Sequence, residues 1–65
     1  MKTNWKEFCQ RIIDTNGNPS TKDAEETGIP FGLWFDLAVR TKNKEKLIEN
    51  AKNIIKEIER REYEK

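Results

Sequence analysis

The chain has 65 residues, no histidine and a single cysteine, Cys9, so neither a zinc cluster nor an internal disulfide is available to it. Thirteen basic and twelve acidic residues leave a net charge of +1, a balance that offers little general attraction to nucleic acid or anionic lipid. Such a length holds one domain that buries only about 60% of its unfolded surface, and a second subunit or a partner protein is the reinforcement left to it.

Trp5, Phe8, Cys9, Ile12 and Ile13 recur at the spacing of one helix face. Asn4 precedes them as an N-cap, and Glu7 three residues on completes a capping-box pattern. Asn16-Gly17-Asn18-Pro19 ends the segment, because Asn and Gly accept left-handed geometry and Pro does not continue a helix. A first helix is therefore expected over residues 4–15. Ser20 caps a short second helix over residues 20–27, with Asp23, Glu25 and Glu26 near its positive end and Gly28 as its stop. Ile29 is pushed out of helical geometry by the proline after it, while Pro30 suits the first position of a third helix over residues 30–40. Thr41-Lys42-Asn43 breaks the pattern again, and Asn43 caps a final helix over residues 43–60. Leu47, Ile48, Ala51, Ile54, Ile55 and Ile58 give that helix an unbroken apolar stripe. Beyond Ile58 charged residues take over, Glu57 and Arg61 being spaced for an i, i+4 pair worth about 0.2–0.5 kcal/mol. The last turn is expected to fray. The pattern as a whole predicts an all-α protein, a small bundle of four helices.

Over residues 20–37 the sequence resembles the helix-turn-helix family of DNA-binding domains. That family sets an alanine four residues before a glycine, follows the glycine with an apolar residue, and buries two more on the next helix. Ala24, Gly28, Ile29, Trp34 and Leu37 stand in those places. The pattern has a physical basis: a small residue lets two helices cross closely, and glycine supplies the positive φ of the turn. The resemblance implies a helix-turn-helix-like centre, with base contacts made by polar residues early in the second motif helix. Here those exposed places hold Pro30, Phe31, Gly32, Phe35 and Asp36, none of which donates a side-chain hydrogen bond. Across residues 20–42, Lys22, Arg40 and Lys42 stand against Asp23, Glu25, Glu26 and Asp36, where a DNA reader should be basic.

On the third helix, Leu33, Trp34, Leu37 and Ala38 fall on one side, expected to face the first two helices. Phe31, Phe35 and Val39, spaced by four, form a second apolar ridge. A helix that is apolar nearly all round is usually buried on both sides, so the simpler expectation is that the final helix folds across this ridge. Otherwise the ridge stays exposed, with Asp36 beside it, and docks a partner protein or a second copy. Both arrangements count against DNA in that place.

Cys9 lies on the apolar face of the first helix, without a histidine to activate it, and is expected to be core filler. Asp23, Glu25 and Glu26 complement the helix dipole, and Gly17, Gly28 and Gly32 fit no phosphate-cradling spacing. Neither catalysis nor a cofactor is expected. The first residues lack the apolar stretch of a signal peptide, and a run such as Leu33-Trp34-Phe35 is too short to span a bilayer. A lone thiol suits the cytoplasm.

Two functional readings follow. In the first, this is a small regulatory protein of inhibitor or antirepressor type that binds another protein through Phe31, Phe35, Val39 and the adjoining final helix. Compact, charge-rich helical chains of this size resemble regulators encoded by phages and mobile elements. In the second, it is a dimeric DNA-binding transcriptional regulator whose contacts come from Lys22, Arg40, Lys42, Lys44 and Lys46. A homodimer could form through the ridge, or through the final helix, where Ile48, Ala51, Ile55 and Ile58 keep a 3–4 spacing.

Overall fold

A computed structural model describes residues 3–63. Helix α1 spans Trp5–Asp14 and α2 spans Thr21–Thr27. Helix α3 begins with α winding over Phe31–Phe35 and continues with π winding over Asp36–Arg40, and α4 spans Lys44–Tyr63. No strand occurs among the described residues, and the protein is a small all-α bundle.

The caps explain the boundaries. The Asn4 side chain accepts the Glu7 N–H at 3.0 Å, but the capping box expected there is not completed. The Asn4 N–H instead donates at 2.8 Å to the Thr27 carbonyl, one of the carbonyls left without a partner at the end of α2. The box forms at Ser20 instead, where Asp23 N–H donates to Ser20 Oγ at 3.2 Å and Ser20 N–H to Asp23 Oδ2 at 2.8 Å. Helix α2 ends at Gly28 with φ of 75°. There Ile29 N–H reaches back to the Ala24 carbonyl at 2.9 Å, and Gly28 N–H to that of Glu25 at 3.2 Å, the paired bonds of a Schellman ending. Asn16, with φ of 57°, ends α1 in the same way, with Gly17 N–H bonding the Ile12 carbonyl at 2.7 Å. Asn43 caps α4 by accepting the Lys46 N–H at 3.1 Å.

Helix α1 is the middle of the molecule. Its Phe8, Cys9 and Ile12 pack with Ala24 of α2, with Ile29 of the turn, and with Leu47 and Ala51 of α4 to make the core. Phe8 is wholly enclosed. Small side chains at Cys9 and Ala51 suit a close approach of α1 and α4. The two helices run antiparallel: Lys6 and Glu62 meet at one end, 3.5 Å apart, and Gly17 abuts Lys44 at the other.

This placement corrects several expectations. Helix α4 lies along α1 and does not fold across α3, so it leaves the ridge of Phe31, Phe35 and Val39 uncovered. Its stripe is not unbroken either. Leu47 and Ala51 are buried and Ile48 and Ile55 are partly buried, but Ile54 is 41% exposed. A ten-residue α1, about 15 Å long, cannot cover both flanks of a twenty-residue α4 about twice that length. Of the residues spaced for a dimer seam on α4, Ala51 is buried in the core, Ile48 and Ile55 pack against it partly buried, and Ile58 is half-buried. The final helix runs on to Tyr63, past the expected end at residue 60, with the Glu57–Arg61 pair formed at 3.9 Å; the last two residues, part of the turn expected to fray, lie outside the described residues. Leu33, expected inside, is 37% exposed because α3 leans on the core through Trp34 and Leu37 alone.

Candidate protein-docking face on the third helix

Pro30, with φ of −57° and ψ of 141°, turns the chain into α3. From Phe31 to Val39 only Asp36 and Gly32 interrupt the apolar residues. Yet none of these residues is buried. Phe31 is 65% exposed, Val39 54% and Phe35 42%.

Trp34 holds this face in place. Its indole N–H donates to the Pro19 carbonyl at 2.8 Å, and its ring packs partly buried against the core. It is therefore half-buried, whereas the sequence pattern places it fully inside. Phe31 leans on it at a centroid distance of 5.0 Å, and Phe35 meets it edge-on at 6.4 Å. The two exposed rings thus rest on a tryptophan that is itself pinned. They form an exposed aromatic surface that packs on Trp34.

The change of winding at Asp36 straightens the ridge. In an α-helix four residues overshoot a full turn, so Phe35 is rotated past Phe31. A π turn closes i to i+5, so four residues fall short of a turn and the drift from Phe31 to Phe35 is offset in the step from Phe35 to Val39. The Thr41 hydroxyl donates to the Asp36 carbonyl at 3.0 Å at the end of this turn. The Lys44 ammonium donates to the Ala38 carbonyl. Periodicity in the sequence carries no sign of the π turn, so the straightness of the ridge could not be anticipated.

The basic residues proposed for nucleic acid are dispersed in role. Lys44 is half-buried and occupied by the Ala38 carbonyl. Arg40 pairs with Asp36 at 3.4 Å. Lys22, Lys42 and Lys46 are exposed. The acidic group is partly neutralised by a residue that sequence spacing gave no reason to connect with it. Arg11 of α1 lies 2.7 Å from Asp23 and 3.0 Å from Glu26, with Glu7 at 3.5 Å. Asp23 is held below the usual carboxylate range, first by the Ser20 N–H it accepts, then by Arg11 and the Ser20 hydroxyl. Burial pushes the Cys9 thiol up, away from the thiolate a nucleophile needs.

Two open furrows follow the seam between α1 and α4. One is lined by Asn4, Trp5, Lys6, Ile58 and Glu62 among others, and the second by Lys6, Glu7, Gln10, Ile55 and Glu59. No buried side-chain polar atom lacks a partner among the described residues. Among the described residues no helix is long and apolar enough to cross a membrane. No family model, curated protein or solved structure matches this chain.

Proposed function

We propose that this chain is a small cytoplasmic regulatory domain that acts by binding another protein, with Phe31, Phe35 and Val39 of α3 as the contact and Asp36 on its rim. The observation that carries this reading is a helix apolar on nearly every side that buries none of its residues. Exposed aromatic side chains already locked in position lose little entropy on binding, and such anchors are the usual hot spots of interfaces. The ridge is convex and spaced i, i+4, i+8, which suits insertion into an apolar groove of the partner. A helix-turn-helix-like unit of α2, turn and α3 would then serve as a scaffold that presents protein-binding residues in place of base-reading ones.

Phe35→Asp tests this reading. The residue lies outside the core cluster, so helical content and melting temperature should stay close to wild type. A protein that co-purifies with wild type should be lost from Phe35→Asp and Val39→Asp and retained by Ile54→Asp, which changes an exposed apolar residue elsewhere. Nanomolar, sequence-selective binding to duplex DNA at physiological salt, unaffected by Phe35→Asp, would refute it.

A further inference from the structure

We propose that the same ridge also takes a second copy of this chain. In that dimer α3 lies antiparallel against its equivalent about a two-fold axis between Phe35 and Val39, so the free protein is a weak homodimer that a partner must open. The proposal rests on the ridge being the docking face, and it adds the regulation of that face.

Three features of α3 fit its own reversed copy. The first is a pair of rows with i, i+4 spacing: Phe31, Phe35 and Val39 in one, Gly32, Asp36 and Arg40 in the other. Helices pack by laying the ridge of one into the groove beside the ridge of the other. With the axis between Phe35 and Val39, Phe35 of one copy faces Val39 of the other.

The second is charge. A closed two-fold interface must be complementary to itself, and the second row is so. Asp36 and Arg40 have side chains 58% and 73% exposed. Reversing the helix brings Arg40 of the second copy to a level between Gly32 and Asp36, one turn apart. Asp36 and Arg40, which pair with each other within the chain at 3.4 Å, would then each also meet the opposite charge of the other copy across the axis.

The third is Gly32. It sits inside a helix, its φ lies outside the left-handed range, and nothing lies within 4 Å of where a Cβ would stand. The fold within the chain has no use for a glycine there, and glycine weakens a helix relative to alanine. The gap it leaves lies where the arriving Arg40 stem must pass.

Area agrees with a modest interface. The chain exposes 5024 Å², against about 4,300 Å² for a compact monomer of this mass. The whole chain is thus more open than a compact monomer by roughly 700 Å², and Phe31, Phe35 and Val39 are among its exposed large hydrophobics. A single short helix face with three exposed apolar side chains makes for weak association, expected on the order of 10 µM to 1 mM.

Analytical ultracentrifugation of the full chain from about 10 µM to about 1 mM tests this range. The average mass should climb from monomer toward dimer. Phe35→Asp should stay monomeric with an unchanged circular dichroism spectrum, while Ile54→Asp should associate like wild type. Gly32→Gln should weaken association although glutamine is the better helix former. Asp36→Arg should weaken it about tenfold or more, and adding Arg40→Asp to that variant should restore it, because acid and base again face each other. A wild-type chain that is monomeric at the highest concentration, a dimer that survives Phe35→Asp, or a double variant no better than Asp36→Arg overturns the inference. Should self-association fail while Phe35→Asp still loses the co-purifying protein, the ridge remains the docking face and only the dimer is wrong. Should the co-purifying protein survive Phe35→Asp, the docking reading itself falls.

Discussion

Arg11 and Trp34 show how much of this small fold hangs on single side chains. Arg11 ties α1 to α2 through Asp23 and Glu26, and Asp23 at the same time closes the capping box of α2. Because the folded protein lowers the pKa of Asp23, its contribution to stability is complete above the ordinary carboxylate range, about 4. That contribution is lost as pH falls through this range toward the depressed folded value. Melting temperature should therefore drop more steeply on acidification in wild type than in Asp23→Asn, which keeps an acceptor for Ser20 but titrates no longer. Parallel acid limbs for the two proteins would remove Asp23 from the explanation. For Trp34→Ala the expected loss is somewhat under the about 3–5 kcal/mol typical of an enclosed tryptophan, since the ring is half-buried. That is still most of the stability of a domain this small. Trp34→Phe should keep much of the packing and lose the bond to Pro19, worth about 1 kcal/mol. Denaturant midpoints for the two variants separate packing from hydrogen bonding, and equal losses would contradict the division.

Two glycines of the α2–α3 unit should respond in opposite directions to the same change. Gly28 holds φ of 75° at the end of α2, where alanine is strained, so Gly28→Ala should lower the melting temperature. Gly32 lies in open helix, and Gly32→Ala should raise stability by about 0.5–1 kcal/mol, a gain of a few degrees by thermal melting. A loss at Gly32 would mean that the helix is strained there in a way its open surroundings do not suggest. The contrast also marks what was legible from the sequence. Caps and stops act within a few residues, so Ser20, Gly28, Asn43 and the four helices could be placed before any coordinates. Periodicity names the apolar faces of a helix but not their neighbours. Periodicity puts Leu33 on an apolar side and Ile54 in the stripe of α4, yet both are exposed, and an uncovered ridge has the same pattern as a covered one. The Arg11 clamp spans twelve and fifteen residues, beyond any local pattern, and the π turn leaves no periodic trace. The Glu7 box failed for a similar reason: the Asn4 N–H found a distant carbonyl, that of Thr27.

The fold extends 35 × 28 × 17 Å along its principal axes, thin in one direction. In so thin a body every helix keeps one open side, and a single apolar cluster touching α1, α2 and α4 serves as the whole interior. With no second core to melt separately, unfolding should be all-or-none. Cys9 lies within that cluster, 2% exposed, the sole thiol of the chain. A thiol reagent can reach it only during the moments when α1 parts from α4, so the chain carries its own clock for opening. In excess reagent at neutral pH, Cys9 should label more slowly than an unstructured peptide thiol by a factor equal to the unfolding equilibrium constant. The free energy from that ratio should match the one from urea titration. A much faster reaction would mean that α4 lifts away while the rest stays folded, and the clock would then time the departure of one helix instead of the loss of the fold.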